Sequence, residues 1–394
     1  MNKDKKINLL GIGLDYFMLL KDNVRGDVRK RQLDYAKELK SMHLIVYSPR
    51  SLKLKQQTWG DNYTIYPTNS LCKATFLFDV LRIAKKICRE NKIEAITTED
   101  PFITGLAGYL LKKKSGIPLN IQVHIDFYDN KYWIKDEKIN YFFNILGKWL
   151  VRKADTLRVG TSRDKRKLKT LGVSEDKVSI IPVYSKPEKF GNVSGEEVRK
   201  RYLNNGFNKL IMFVGRFTGQ KDIPTLLKAL SVVITKYPGV LAIIIGSGAQ
   251  EGRLKKMADN LGIAKNVIFP GAVNHDELPK YLSACDVFVI PSIFEGTCIA
   301  LAEAAMSEKP VVSTNIAGVD DLVLEGKTGF IVEQKDYKRM AERLLYLFNN
   351  PKEAHDMGIE GRIHVEKQFS QERNIEGLIN LWKRTAQAGL KNGK

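Results

Sequence analysis

Cysteine is scarce in this sequence: Cys72, Cys88, Cys285 and Cys298 are the only four in 394 residues, and none lies close to another. That spacing argues against a disulfide framework or a cysteine zinc site and suits a reducing cytosol. Histidine is equally sparse, with five scattered residues that offer a metal no visible ligand set. No run of about eighteen apolar residues occurs, so no segment reads as a membrane-spanning helix. The opening stretch MNKDKKINLLGIGLDYFMLL pairs a basic start with apolar residues. Asp15 interrupts it and no small-residue cleavage site follows, so INLLGIG reads as a first buried strand rather than a signal peptide. The dinucleotide-binding glycine fingerprint is missing too. Gly11 and Gly13 are followed by Tyr16 where the third glycine belongs, and Gly246 and Gly248 by Glu251. A nicotinamide enzyme is therefore disfavoured.

What is present is globular composition, 43% hydrophobic and 27% charged, at a length that accommodates two domains. The net charge of +20 is uneven: residues 1 to 190 carry +16 and the remainder +4. That asymmetry points to an anionic partner for the first half. Short apolar runs alternate with helical patterns from end to end. INLLGIG, HLIVYS, IEAITTE, PLNIQVH and TLRVGTS read as strands of one series; KLIMFVGR, VLAIIIGSG, NVIFPGAV, VFVIPS, PVVSTN and TGFIVE form a second. Alternation of this kind specifies an α/β fold with two doubly wound parallel sheets. Pro182, Pro187, Gly191 and Gly195 punctuate the polar stretch between the series. The expected division is a first domain over 1–185, a linker over 186–207, a second domain over 208–365 and a terminal helix over 366–394. That helix has an apolar face at Ile375, Leu378, Ile379 and Trp382, and the first domain is a candidate for what it packs on.

Within SIFEGTCIALAEAAMSEKPVVST, Glu295 and Glu303 stand eight positions apart in small and apolar surroundings. The strand before them ends near Ser292 and the pattern turns helical at about Thr297. This places Glu295 and Gly296 at the carboxyl end of a parallel strand, where open α/β sheets bind ligands. Backbone amides of Thr297, Cys298 and Ile299 at the helix start suit an anion. Glu303 is expected about 9–10 Å further along the helix axis. Carboxylates at both ends of an anion site fit an elongated ligand with hydroxyls at each end, such as a sugar nucleotide. The alternative is a capping Glu295 and a solvated Glu303, but the apolar flanks IALA and AAM favour burial, and buried carboxylates need partners.

On these residues the second half resembles the retaining glycosyltransferases of family 4, with their GT-B architecture of two facing Rossmann-like domains and E-x7-E pair. FVGRFTGQKDIPTLLKAL resembles the family's diphosphate-binding segment, with Asp222 where glycine is usual, and the later strands follow in the expected order. The resemblance implies that Arg216 and Lys221 bind the donor diphosphate, flanked by Gly215 and Gly246. Glu295 would contact the transferred sugar and Glu303 the ribose, with Gly296, Thr297 and Cys298 offering amides. In the first half His124 is the catalytic candidate, Asp126 a weaker one, and Gly26 stands in for the usual glycine pair of the first loop. The implied activity is sugar transfer from a UDP- or GDP-sugar without metal or resident cofactor, with front-face attack and an acceptor held by the first domain. A sugar-nucleotide epimerase and a non-catalytic nucleotide-sugar-binding subunit remain as alternatives.

The acceptor class follows from charge. Lys112 to Lys114, GKWLVRK and Arg163 to Lys169 gather cations, the middle group beside the aromatic stretch INYFFNIL. Cations beside aromatic bulk suit an anionic bilayer, so the expectation is a cytoplasmic, peripherally bound enzyme acting on a glycan or lipid-linked sugar. No nucleic-acid-binding motif is present. The alternative is that YFFNILGKWLV belongs to the first domain's core.

Overall fold

The computed structural model describes residues 6–20, 28–184, 187–204 and 206–391. The chain divides into two compact units. The first comprises residues 1–130, 137–182 and 372–394; the second comprises 131–136 and 183–371. The chain thus passes between units at Pro182/Val183 and returns to the first at Glu372.

The first unit holds eight strands: β1 (Asn8–Gly13), β2 (Ser41–Val46), β3 (Gln57–Trp59), β4 (Tyr63–Pro67), β5 (Ala95–Thr98), β6 (Leu119–Val123), β7 (Thr156–Val159) and β8 (Val178–Ile180). Their order in the sheet is β3-β4-β2-β1-β5-β6-β7-β8. Every pairing is parallel except β3 with β4. The central strands are buried residue after residue, as a parallel sheet covered on both faces requires. The covering helix Phe76–Glu90 buries Phe76, Val80, Ala84 and Ile87, spaced along one helical stripe. Three strands escaped the sequence reading: β3, β4 and β8. Two of them are only three residues long and sit at the sheet edges, too short for a period-two signal.

The helix Gln371–Lys391 contributes to this unit through its polar as well as its apolar residues. The Trp382 indole N–H donates to Thr97 Oγ1 at 3.2 Å, and the Thr156 and Thr385 hydroxyls meet at 2.6 Å.

The second unit holds β9 (Lys209–Val214), β10 (Val240–Ile245), β11 (Val267–Gly271), β12 (Val287–Ile290), β13 (Val311–Thr314) and β14 (Gly329–Val332). All are parallel, in the order β11-β10-β9-β12-β13-β14. β10 is buried at all six positions and pairs with β9 along its full length. The stretch read as a linker carries two short helices, Pro187–Phe190 and Glu196–Tyr202.

One helix inverts the usual pattern. Ile139–Val151 buries Asn140, Asn144, Gly147, Leu150 and Val151, yet Tyr141, Phe142, Ile145 and Trp149 are exposed. Its aromatic side is therefore surface, and the alternative that much of YFFNILGKWLV is first-domain core fails for Tyr141, Phe142, Ile145 and Trp149.

Candidate active site

In the second sheet the chain runs from β9 to β10 on one side, while β12 lies on the other. The crevice outside the carboxyl ends of β9 and β12 is thus the topological switch point, where open α/β sheets bind ligands. The loop after β9 is anchored to the end of β10. Gly215 N donates to Ile245 O at 3.0 Å and Phe217 N to Ser247 O at 2.9 Å. Gly246 has φ +138°, and a Cβ there would lie 1.9 Å from the Gly215 carbonyl oxygen, so only glycine permits this approach. Phe217 is fully buried beside it, and Arg216 between these anchors is left exposed.

A short 3-10 turn, Gly219–Lys221, leads into the helix Ile223–Lys236 through Asp222. Asp222 is left-handed at φ 42°, ψ 43°, which explains why glycine would be at home there. Its carboxylate accepts from the Thr225 hydroxyl at 2.7 Å. We expect Asp222→Ala to lower stability by about 0.5–1.5 kcal/mol, because it keeps the left-handed β-carbon but loses the hydrogen bond from Thr225, and Asp222→Gly, which removes that β-carbon, to recover most of it. Thermal denaturation of the two variants checks this; equal melting temperatures would contradict it.

Across the switch point, Ile293 N donates to Gln220 O at 2.8 Å, and Gln220 Nε2 to Phe294 O at 2.9 Å. These contacts bring Lys221 Nζ to 2.6 Å from Glu295 Oε1, which also accepts from Ser292 Oγ at 2.7 Å. The Lys221 and Glu295 side chains are only 13% and 8% exposed. Burial opposes the ammonium charge, but the Glu295 carboxylate and the hydrogen bond to it leave the Lys221 pKa above the ordinary lysine value. A pair this buried contributes little net stability, yet is costly to break.

The helix after Glu295 spans Ile299–Met306, with Cys298 at its cap. Its start is two residues later than expected, so Glu303 lies about 6 Å along the axis from the first helical residue, not 9–10 Å. Gly296 and Thr297 occupy the loop before it, half-buried. Glu303 is buried, and its Oε1 lies 2.9 Å from His275 Nε2. The His275 ring meets Phe190 edge-on at 6.2 Å. The Cys298 thiol is also buried; desolvation, reinforced by the Glu295 charge, pushes its pKa up to about 12, so it stays protonated and is no nucleophile.

The sequence reading missed His275, Gln220 and Ser292. Ser292 had a local signal, three residues before Glu295. Gln220 sits beside Lys221. His275 follows β11, and nothing in its immediate sequence shows that β11 lies at the far edge of the same sheet.

In the first unit His124 follows β6 and is exposed, while crowded surroundings and then the positive fields of Arg158 and Arg31 hold its pKa below the ordinary histidine value. Its open face limits that shift, but the direction leaves a neutral ring at physiological pH. Asp126 is buried and engaged at both oxygens, by Lys167 Nζ at 2.5 Å and Asn130 Nδ2 at 3.2 Å. Those contacts give it a scaffold role within this unit. Gly26 lies outside the described residues. Among the described residues no group of three His, Cys, Asp or Glu is placed to hold a metal ion, and no helix is long and apolar enough to cross a membrane.

Two family models cover most of the chain. "Glycosyltransferase Family 4" matches residues 31–183, and "Glycosyl transferases group 1" matches residues 194–364. An uncharacterized glycosyltransferase of Haemophilus influenzae is 30% identical over 250 residues, 62% of this chain and 67% of that protein. The capsular polysaccharide biosynthesis glycosyltransferase CapM of Staphylococcus aureus is 32% identical over 217 residues, 53% of this chain and 56% of CapM. Among solved structures, Anabaena Alr3699/HepE in complex with UDP superposes with a TM-score of 0.74 at 14% identity, covering 95% of this chain and 99% of that one. At that identity the likeness establishes the fold alone, two Rossmann-like α/β domains of the GT-B kind. With both halves matched by its models and a glycosyltransferase relative 30% identical over two thirds of that relative's length, the chain belongs to the family 4/group 1 glycosyltransferases and is a glycosyltransferase.

Proposed function

We propose that the protein is a metal-independent, retaining glycosyltransferase whose donor is a UDP- or GDP-sugar bound at the switch point of the second unit. The observation that carries this reading is the cluster at that point: an exposed Arg216, the buried Lys221–Glu295 pair, and a buried Glu303 one helix turn beyond the Cys298 cap. Arg216 and Lys221 supply two cations for a diphosphate, and the loop and helix start around Gly296, Thr297 and Cys298 supply amides. Glu295 accepts hydroxyls of the transferred sugar, and Glu303, oriented by His275, those of the ribose. The chemistry is front-face attack in which the departing diphosphate draws off the acceptor's proton, while the two cations stabilise charge growing on it. A neutral His124 serves as a hydrogen-bonding group at the carboxyl end of β6 in the first unit. That Alr3699/HepE binds UDP and CapM serves capsular polysaccharide synthesis supports a nucleotide-sugar donor and a glycan acceptor. Product analysis with UDP- and GDP-sugars in EDTA tests the reading. It predicts a glycoside with the donor's anomeric configuration, whereas inverted product or activity restored only by a divalent cation would overturn it.

The same reading places the acceptor at a membrane surface. The outward side of Ile139–Val151 carries Tyr141, Phe142, Ile145 and Trp149, with Lys138, Arg152 and Lys153 alongside. Lys113 and Lys114 add exposed charge at the end of the neighbouring helix Ile103–Ser115. Other cations of the basic half are already paired: Lys112 with Asp155, Lys148 with Asp129 and Lys167 with Asp126. Each unpaired surface cation is worth about 1 kcal/mol near anionic lipid, and each inserted aromatic about 1.5–3 kcal/mol. The wild type is expected to sediment with phosphatidylglycerol-containing vesicles at low salt. Phe142→Ser/Trp149→Ser is expected to lower that partitioning at least about tenfold. Equal binding to neutral vesicles, or no change in the double variant, would contradict it.

A further inference from the structure

The first sheet has a switch point of its own. β1 is flanked by β2 and β5, and the chain leaves β1 on the β2 side, so the crevice lies outside the carboxyl ends of β1 and β5. Ile12 pairs with Thr98 there, and Glu99 N donates to Ile12 O at 3.1 Å. The next residues on either side of the crevice are therefore Gly13 and Glu99. The Glu99 carboxyl lies directly over Gly13: a Cβ built there would be 2.6 Å from all three carboxyl atoms. Glu99 Oε2 accepts the Leu14 amide at 3.0 Å. No lysine or arginine pairs with this carboxyl among the described residues.

The neighbouring acids have other work. Asp100 accepts the amides of Phe102 and Thr104 at the start of the helix Ile103–Ser115, and Asp15 accepts that of Phe17. Glu99 holds the Leu14 amide with Oε2 and, among the described residues, has no hydrogen-bond partner at Oε1. Burial and the nearby Asp100 and Asp15 charges raise its pKa to about 7, the Leu14 amide opposing them, and its charge in turn raises the pKa of Tyr63. Glu99 is half-buried, so its carboxylate is partly desolvated yet open to the crevice, where hydroxyls of a ligand can donate to it.

We propose that Glu99 binds the acceptor, taking hydrogen bonds from hydroxyls of a neutral sugar seated against Gly13 at the first unit's switch point. This rests on the glycosyltransferase reading above. A glycine at the strand end lets the sugar approach the backbone, and a carboxylate can accept two neighbouring hydroxyls at once. A phosphate would be repelled by Glu99, Asp100 and Asp15 together, so the portion of the acceptor lying here carries no charge. His124, at the end of adjacent β6, borders the same edge of the sheet.

The test uses the full chain, UDP-glucose and GDP-mannose as donors, and the methyl glycosides of glucose, galactose, mannose and N-acetylglucosamine as acceptors. Glu99→Gln keeps the volume and an acceptor for the Leu14 amide. It should lower kcat/KM for the acceptor about 30-fold, the loss of one charge-assisted hydrogen bond, with UDP and GDP affinities within twofold of wild type. The wild-type rate should rise with pH through about 7 as Glu99 ionises, and that limb should vanish in the variant. Gly13→Ala, which only pushes the flexible carboxyl aside, should reduce acceptor kcat/KM without unfolding the protein. Acceptor kcat/KM within threefold of wild type in Glu99→Gln would overturn the proposal, as would a matching loss of nucleotide affinity. Wild-type transfer to none of these sugars, with nucleotide binding intact, would remove the neutral-sugar assignment. Absence of nucleotide binding would overturn the donor reading instead.

Discussion

Lys221→Ala is expected to abolish transfer and to destabilise the second unit by about 3–5 kcal/mol, because it strands a buried carboxylate. Glu295 would keep Ser292 Oγ at 2.7 Å and a long 3.4 Å contact from Gln220, but no cation. The double variant Lys221→Ala/Glu295→Gln should recover much of the stability and none of the activity. Chemical denaturation followed in all four proteins yields the coupling energy, and a value below about 0.5 kcal/mol would show the two residues to be independent. The pH dependence has a fixed sign. Because the Lys221 pKa is raised in the folded state, its contribution is fully present at neutral pH and is lost only as alkaline solution deprotonates it.

Arg216→Ala should separate catalysis from stability. Arg216 is exposed, so its removal should leave the unfolding midpoint within about 0.5 kcal/mol of wild type. Loss of a preorganised cation on the leaving diphosphate should nevertheless reduce kcat about 100- to 1000-fold. Arg216→Lys should restore only part, because an ammonium cannot present the guanidinium fork. A rise in KM alone, with kcat intact, would remove Arg216 from the stabilisation of the departing group.

How far the sequence carries this account depends on how local each determinant is. β9 and β10 are continuous apolar runs bounded by glycine, and their burial follows from composition. Glu295 and Glu303 were legible because a carboxylate amid alanines and leucines demands a reason. β3 and β8 were not, since three residues cannot establish a period and their pairing comes from neighbours far along the chain. The helix start shifted by two residues because Thr297 offers the same cap chemistry as many loop residues. The partnership of His275 with Glu303 spans 28 positions and exists only because the loop after β11 and the helix after β12 end at the same sheet edge. Ile139–Val151 is the sharpest case: periodicity shows two faces, and only packing shows that the asparagines point inward.

The central claim is that a nucleoside diphosphate is held at the switch point between β9 and β12, with Glu303 on its ribose. Isothermal calorimetry with UDP and with GDP, in EDTA, against wild type and Glu303→Gln measures it directly. The account predicts saturable one-to-one binding of at least one nucleotide by the wild type. The variant should weaken it by about 1.5–3 kcal/mol, the worth of a charge-assisted hydrogen bond. Binding of neither nucleotide, or the same affinity in both proteins, would contradict it.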